Sequence, residues 1–406
     1  MKKIGLISLF VLTGLLTGSS SPTQAQDCST AGAYLQTSSG QCLDLSGLQQ
    51  NSSTNNTAPK TTPLKTYIVT FQRNAIAKDK IPGAALEMAQ KAGGKVEFIY
   101  QETIQGTALS IPEPALQGLR QNPLVASIEV DQMVQVVGKT SSGTTATTQP
   151  PQEVPWGITR MGSPGNGTGK TAWVIDTGID LKHPDLKVDA SRCFTAFTSG
   201  TEGRLGCNDG NGHGTHVAGT IAALNNSIGV VGVAAGATVV PVKVLDSNGG
   251  GTMAGVIAGV DAVAARAKIG DVANMSLGGG ASDALDNAVK LAAAKGIKFA
   301  VAAGNEAQNA NNVSPARANG ANIYTISAFD ASDRWASFSN YGNPPIDYAA
   351  PGVNIKSTWK GGTYNTISGT SMATPHAAGV LLLGVPVTSG VVLGDPDGMA
   401  DPIIHR

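Results

Sequence analysis

This sequence of 406 residues carries little charge and no excess of either sign. Only 14% of its residues are charged, and 28 basic side chains face 28 acidic ones. Because nucleic acids and anionic membranes attract proteins through an excess of basic residues, the composition gives no electrostatic argument for either partner. Hydrophobic residues make up 41%, so the chain is long and apolar enough for an ordinary soluble enzyme with a sizeable core and more than one domain. We expect a monomer.

The apolar run at the N-terminus, residues 4–16, is too short to cross a bilayer comfortably. It follows the basic residues Lys2 and Lys3, and the small-residue string TQA (23–25) follows it. This order is typical of a secretory leader. We therefore expect residues 1–25 to be a signal peptide and the protein to be secreted; an uncleaved membrane anchor is the alternative.

Cysteine is rare, with four residues in two local couples. Cys28 and Cys42 form one couple, and Cys193 and Cys207 form the other; neither has the spacing of a metal site. An exported chain reaches an oxidising compartment, where cysteines persist as disulfides. Each couple encloses a short polar loop, so we favour local pairing over free thiols.

The first part of the predicted mature chain changes character twice. Residues 26–64 contain the first cysteine couple and the string NSSTNNT (51–57), which is too polar to fold alone, so we interpret this segment as a linker. Residues 65–138 instead alternate strand and helix patterns. We predict strands at 67–71, 95–100, 106–111 and 126–137, a helix at 83–92, and a second helix that begins near Pro112 and Pro114.

The order strand-helix-strand-strand-helix-strand predicts a small ferredoxin-like α+β unit. Residues 139–153 then include a Gly/Ser/Thr-rich stretch, which suits a processing linker because such segments are accessible to proteases. From 154 to 406 apolar runs alternate with helical segments. We predict strands at 171–176, 238–245, 271–277 and 298–303, and helices at 213–224, 252–267 and 281–295.

This alternation favours an α/β domain, a mainly parallel sheet with helices on both faces, in which reactive groups gather at the carboxyl ends of the strands. Three candidates lie at such places. Asp176 ends a strand, His213 opens a glycine-flanked helix, and Ser371 precedes an apolar helix. A serine hydroxyl becomes a nucleophile when a base takes its proton and an acid orients that base, and these three residues supply the set.

The strings around the three candidates, VIDTGI (174–179), GHGTHVAG (212–219) and GTSMATPH (369–376), closely resemble the signature blocks of the subtilases. The chain order Asp, His, Ser is also the subtilisin order. The resemblance covers about residues 156–380, and VLDSNG (244–249) and SFSNYG (337–342) look like the proteinase K branch. The unit at 65–138 resembles the subtilase propeptide, including ALS (108–110) and IEVD (128–131).

The resemblance implies a serine endopeptidase made as a zymogen and held inactive by its own propeptide. Asn305, in AAGN (302–305), matches the oxyanion-hole asparagine. Protein or peptide substrates pair with two exposed backbone segments. In this chain the segments match Asn248, Gly249, Gly250 and Gly251 on one side and Ser276, Leu277 and Gly278 on the other. The small residues of the strings GGG (278–280) and AAG (302–304) imply an S1 pocket with small walls and no evident charge, so we expect broad cleavage with some preference for apolar or aromatic P1 residues.

No cofactor is needed for this chemistry, but the resemblance implies a structural Ca²⁺ bound by Asp347 and the carbonyls of Asn319 and Ala321. An ordinary turn at Asp347 is the alternative. We interpret His183, His216 and His376 as structural residues. Two other functions are weaker. A catalytically dead homologue would lack a triad member, and an esterase would favour a G-x-S-x-G string that Ser371 does not have.

Overall fold

The computed structural model describes residues 63–137 and 149–406, and the backbone of two short antiparallel strands, β1 (Tyr34–Gln36) and β2 (Cys42–Asp44). The expected signal peptide and the Cys28–Cys42 pairing lie outside the described residues. In the described part of the chain, no helix is both long and apolar enough to cross a membrane. The described residues form a small N-terminal unit and a large domain.

The small unit has the predicted order of elements. Its strands and helices are β3 (Leu64–Phe71), α1 (Ile81–Lys91), β4 (Lys95–Tyr100), β5 (Gly106–Pro112), α2 (Leu116–Arg120) and β6 (Val125–Val130). The antiparallel sheet has the order β4-β5-β3-β6. Alternate residues of β3, among them Tyr67, Val69 and Phe71, face the helices and form the small core with Leu109 and Ile111.

After this unit the chain forms many short strands and six helices within the described residues. The strands are β7 (Met133–Val136), β8 (Gly165–Asn166), β9 (Thr171–Asp176), β10 (Lys187–Val188), β11 (Phe194–Thr195), β12 (Ala234–Ala235), β13 (Thr238–Lys243), β14 (Gly250–Thr252), β15 (Val272–Met275), β16 (Leu277–Gly280), β17 (Lys298–Ala302), β18 (Val313–Ser314), β19 (Ile323–Phe329), β20 (Ile346–Pro351), β21 (Ile355–Trp359), β22 (Thr363–Ile367), β23 (Val387–Val391) and β24 (Pro402–His405). The helices are α3 (Trp156–Arg160), α4 (Gly200–Leu205), α5 (His213–Ala222), α6 (Met253–Arg266), α7 (Asp283–Ala293) and α8 (Thr370–Leu383).

The main sheet runs β10-β13-β9-β15-β17-β19-β20-β24-β23, with β11 also paired to β13. All of these pairs are parallel except β23 with β24. Strand β9 shows why helices cover both faces. Trp173 and Ile175 pack in the core under α6 and α7, whereas Ala172 and Val174 pack under α5 and α8. The predicted three-layer α/β fold is therefore confirmed.

The predicted strand at 126–137 is wrong as a single element. It breaks after Val130, and Asp131 turns its carboxylate toward the backbone N–H of Ala254, 2.9 Å away. Strand β7 then leaves the small sheet and inserts between β14 and β16 of the large domain, antiparallel to both. Apolar periodicity reports alternation along one chain, so it does not reveal that the two halves pair with different sheets.

The C-terminal tail extends the main sheet. After α8, β23 and β24 form an antiparallel hairpin, and Ile403 of β24 aligns with Ala349 of β20. Ile403 and Ile404 are fully buried. The segment at 394–398, which contains Asp395 and Asp397, therefore leads back into the core.

Candidate active site

Asp176 and His213 meet at the carboxyl end of β9. His213 Nδ1 lies 2.8 Å from Asp176 Oδ1 and 3.0 Å from Oδ2, and both side chains are buried. The first turn of α5 comes this close because residue 214 is glycine: a Cβ there would lie 2.1 Å from the Gly178 carbonyl oxygen. The pair that the sequence predicts is formed, with the imidazole oriented by a carboxylate.

Asp209 organises the turn before His213, and the sequence analysis missed it. It is buried and accepts hydrogen bonds from the hydroxyls of Thr177 and Thr215, at 2.9 and 2.6 Å, and from three backbone N–H groups of residues 211, 212 and 215. Burial raises its pKa despite these bonds. Thr177 links Asp209 to the first turn of α5, because its hydroxyl donates to Asp209 and its hydroxyl oxygen accepts from Gly214 N. The sequence does place Asp209 four residues before His213, and this spacing could have indicated that Asp209 shapes the turn before the predicted base.

Ser371 is the second residue of α8 and is fully buried. Its Oγ donates to the carbonyl oxygen of Ser276 at 2.9 Å, and Ser276 Oγ in turn donates to the Ser371 carbonyl at the same distance. His213 Nε2 is buried without a hydrogen-bond partner. The structure thus forms the Asp–His pair and directs the serine hydroxyl to a predicted substrate-binding residue.

Asn305 lies just after β17, where Gly304 has a positive φ of 107°. Its Oδ1 accepts the backbone N–H and the hydroxyl of Thr370, both at 2.9 Å. With the oxygen held in this way, the amide nitrogen faces away from Thr370 as a free donor. Thr370 directly precedes Ser371, so the same turn positions both the amide and the serine.

Strand β7 occupies the groove between the two predicted substrate-binding segments. Gln135 aligns with both Gly250 and Gly278, and Val136 N donates to the Gly249 carbonyl at 2.9 Å. At the end of the strand, the Val137 carbonyl accepts from Ser371 N at 3.4 Å. Five of the predicted residues line this ladder: Gly249, Gly250, Gly251, Leu277 and Gly278.

The other two predicted substrate-binding residues have different contacts. Asn248 N donates to the Asp246 carboxylate at 2.8 Å within a tight turn, and Ser276 contacts Ser371 as described.

The remaining predicted histidines are held by backbone groups. His216 lies 2.9 Å from the Ile355 carbonyl, His376 lies 2.8 Å from the Met372 carbonyl, and His183 lies 3.0 Å from the Thr363 carbonyl. Burial lowers the pKa of His216 to about 3 and that of His376 to about 4, and it also lowers the pKa of His183. These rings are neutral at physiological pH and serve the packing.

Asp347, the predicted calcium ligand, accepts one hydrogen bond, from Thr325 N at 2.9 Å. Burial raises its pKa to about 6, since a single N–H compensates the carboxylate poorly. Asn319 and Ala321 are exposed. Among the described residues, no group of three or more His, Cys, Asp or Glu could hold a metal ion. The Asp347 carboxylate and the carbonyl oxygens of Asn319 and Ala321 are oxygen ligands, the type of ligand that calcium prefers.

Cys193 and Cys207 form a disulfide, with their Cα atoms 6.3 Å apart. This confirms the predicted local pairing for this couple. The closed loop carries α4, and Asn208 N, just after Cys207, donates to the Leu205 carbonyl of that helix at 3.0 Å.

Comparison with known proteins agrees with the site. The sequence model of the subtilase family matches residues 167–385. The chain is 40% identical to the "Extracellular serine proteinase" of Thermus sp. (strain Rt41A), over 80% of this chain and 81% of that protein. It is 38% identical to "Subtilisin NAT" of Bacillus subtilis subsp. natto, again over 80% of this chain and 81% of that protein.

Among solved structures, a "cold adapted subtilisin-like serine proteinase" matches with a TM-score of 0.55 and 39% identity, covering 62% of this chain and 97% of that one. "Proteinase R" of Parengyodontium album is 38% identical over 73% of this chain and 74% of that protein. The Asp–His pair, the three-layer fold and these similarities agree. The chain belongs to the subtilase family and is a serine-type endopeptidase.

Proposed function

We propose that the chain is the precursor of a secreted endopeptidase, in which Ser371 is the nucleophile, His213 the general base and Asp176 the orienting carboxylate. The observation that carries the proposal is the path of β7 through the groove, which ends with the Val137 carbonyl 3.4 Å from Ser371 N. A chain paired in this way lies as a substrate would lie. The relative from Thermus sp., which is described as extracellular, supports the secreted location.

In the proposed reaction, a rotation about the Cα–Cβ bond of Ser371 moves Oγ from the Ser276 carbonyl to His213 Nε2, which is free to accept the proton. Oγ attacks the scissile carbonyl carbon, and the proton passes to His213. The C–N bond then breaks, and His213 returns that proton to the leaving amine. A water molecule hydrolyses the acyl-enzyme by the same route, which restores Ser371.

The negative charge that develops on the carbonyl oxygen needs two donors. Ser371 N lies at the N-terminus of α8, where backbone N–H groups favour negative charge. The Asn305 amide is the second donor, because Thr370 fixes its oxygen on the opposite side. Such a donor is worth about 3 kcal/mol of barrier.

The Val137–Gly138 bond is the proposed processing site. The sequence analysis ends the propeptide at residue 138, one residue after the end proposed here. Residues 65–137 then act as an inhibitor whose tail remains in the groove after the cut. Three further contacts support tight docking. The Asp261 carboxylate accepts the backbone N–H groups of residues 101, 102 and 103 at 2.7–2.9 Å.

The tail also suggests what the groove accepts. Val137 and Val134 are buried, and they would be the P1 and P4 residues. A Cβ on Gly278 would lie 3.5 Å from Val137 Cγ2, and one on Gly279 would lie 3.1 Å from Val134 Cγ1. Glycine walls next to an apolar side chain support broad cleavage of protein and peptide chains after apolar residues. We propose a monomer as the working form.

A structural calcium ion at Asp347, with the carbonyls of Asn319 and Ala321, remains a proposal. A bound cation would favour the ionised carboxylate, which burial disfavours. Thermal unfolding of wild type and Asp347→Asn, each with calcium and with a chelator, tests it. We expect the chelator to lower the melting temperature less in the variant. An equal effect in both would exclude Asp347 from the ion site.

The main experiment is expression of the whole precursor as wild type and as Ser371→Ala, followed by intact mass measurement. We expect wild type to yield a species beginning at Gly138 and Ser371→Ala to stay uncut and inactive. Ser389→Ala, on the C-terminal hairpin, is the matched control and should be processed normally. Processing of the Ser371→Ala chain by itself would overturn the assignment.

A further inference from the structure

The loop closed by the Cys193–Cys207 disulfide has no part in the reaction described above. Its start, β11, pairs with β13, where Thr195 aligns with Lys243. Its helix, α4, brings Glu202 against the segment that leads from β13 to β14. The side chain of Glu202 is only 19% exposed.

Glu202 divides its two oxygens between two partners. Oε1 accepts the backbone N–H of Ser247 at 3.1 Å and the Ser247 hydroxyl at 2.6 Å. Oε2 lies 3.1 Å from Lys243 Nζ. Burial alone would raise the pKa of Glu202, but the Ser247 bonds and the nearby ammonium outweigh burial and lower it. Glu202 is therefore an anion that bridges two residues of the same segment.

Lys243 is fully buried, and Glu202 is its acidic partner. Its Nζ also donates to the carbonyls of Thr177, at 2.7 Å, and Leu245, at 3.1 Å. Thr177 follows the catalytic Asp176 directly. A buried ammonium that loses its counter-ion lowers the stability of the fold. The bonds from Lys243 Nζ to the Thr177 and Leu245 carbonyls do not involve Glu202, so the contact that removal of Glu202 releases directly is the one to Ser247.

Ser247 is fixed from both sides. Glu202 holds its N–H and hydroxyl, and Asn211 Nδ2 donates to its carbonyl at 3.1 Å. The next residues form the edge that pairs with β7: Gly249 accepts from Val136 N, and Gly250 aligns with Gln135. An extended peptide in the groove thus depends on an edge whose first residue is held by Glu202.

We infer that Glu202 is a positioning residue that holds the 247–251 edge in its peptide-pairing geometry, and that the Cys193–Cys207 disulfide holds Glu202 in place. This inference rests on the proposed function of that edge as a substrate-binding strand. It assigns the cysteine loop a role in affinity for extended substrates. The bond-breaking step itself, at Ser371, does not use the loop.

The test compares two substrates on mature wild type, Glu202→Gln and Glu202→Ala. One is a blocked tetrapeptide amide that spans P4 to P1, and the other is a blocked single-residue ester that occupies P1 alone. We expect Glu202→Ala to raise KM for the tetrapeptide about 10-fold, with kcat nearly unchanged. Glu202→Gln should have a smaller effect because its amide oxygen still accepts from Ser247. Ester hydrolysis should stay within about two-fold of wild type in both variants.

Arg204→Gln is the matched control, since Arg204 is exposed on the same helix and donates a hydrogen bond to Thr201 within that helix. It should leave both substrates unchanged. The paired variant Cys193→Ser with Cys207→Ser should reproduce the Glu202→Ala pattern, and adding Glu202→Ala to it should cause little further loss.

An equal loss on both substrates, or none on the tetrapeptide, would overturn the inference. If wild type hydrolysed neither substrate, the proposed function itself would fail instead.

Discussion

Some carboxylates of this molecule contact a residue of their own domain, and others contact the neighbouring domain. In the large domain, Asp176 is fully buried and contacts His213 of the same domain. In the small domain, Glu129 and Asp131 are half-buried and lie against the other domain. Glu129 Oε1 accepts from Ala284 N at 2.8 Å in the first turn of α7, and Asp131 does the same for the first turn of α6.

Those two helices do not depend on the small domain for their caps. Thr252 Oγ1 accepts from Gly255 N at 3.1 Å in α6, and Ser282 Oγ accepts from Leu285 N at 3.2 Å in α7. Carboxylates at helix N-termini add favourable charge interactions without being needed for the helix. The comparison therefore separates a permanent, internal contact from contacts that can be made and lost between domains.

The largest effect is expected for Asp176→Asn. The amide keeps the size of the side chain but favours the wrong tautomer of His213, so we expect kcat to fall about 10⁴-fold. This kcat is measured from hydrolysis of a blocked tetrapeptide, after the fold of the variant has been checked. Asp189→Asn, which lies in a surface ion pair with Arg192, is the control and should change kcat little. A ten-fold loss or less would show that this internal contact is dispensable.

Asn305→Ala should cost about 10²- to 10³-fold in kcat, with little change in KM, because the proposed donor acts on charge that appears in the transition state. Steady-state kinetics on the same substrate separates the two constants. Thr370→Val should lose less, since one of the two hydrogen bonds that hold the Asn305 oxygen remains. If KM alone rose, Asn305 would be a binding residue.

Between the domains the expected effects are smaller. Glu129→Gln and Asp131→Asn should each weaken inhibition by an added propeptide about five-fold, since a charged contact at a helix N-terminus is worth about 1 kcal/mol. The inhibition constant of purified propeptide against mature enzyme measures this. Glu113→Gln is the control, because Glu113 pairs with Lys65 on the exposed side of the same unit. Equal weakening by all three variants would contradict the role of the helix ends.

The remaining prediction concerns stability rather than activity or inhibition, and it lies in the large domain, at Asp401. Its carboxylate is buried beside the Ser327 hydroxyl, and burial raises its pKa from 3.8 to about 6. The folded state therefore binds the proton more tightly than the unfolded state. Its stabilising contribution is complete below pH 3.8 and is lost as the pH rises through about 6.

We thus expect Asp401→Asn to raise the free energy of unfolding by about 2 kcal/mol near pH 8 and to have little effect near pH 4. Thermal unfolding of both proteins at the two pH values measures the difference. If wild type and Asp401→Asn differed in stability by the same amount at pH 4 and pH 8, Asp401 would not titrate as its burial implies.

Much of this fold was predictable from local patterns. The strands Thr171–Asp176 and Lys95–Tyr100 have the predicted bounds, because alternation and turn residues delimit them along the chain. The strings around Asp176 and His213 also predicted their contact, because the glycines in them allow two backbone segments to approach each other closely.

Other features depend on partners distant in sequence, and local patterns do not contain them. The break between β6 and β7 follows from the pairing of β7 with β14 and β16. The bond from Ser371 Oγ to Ser276 and the bridge from Glu202 to Ser247 join residues 95 and 45 positions apart. The pairing of β24 in the C-terminal hairpin with β20 is another contact between segments distant in the sequence.

If residues 65–137 act as the proposed inhibitor, the position of β7 also determines how the fraction of active enzyme would change with concentration. While residue 137 is joined to 138, the tail would compete for the groove at a high effective concentration that dilution does not alter. Once that bond was broken, the small domain would become an ordinary dissociable ligand, and the fraction of active enzyme would rise when the mixture is diluted. Secretion into a large volume would then complete activation without any second signal.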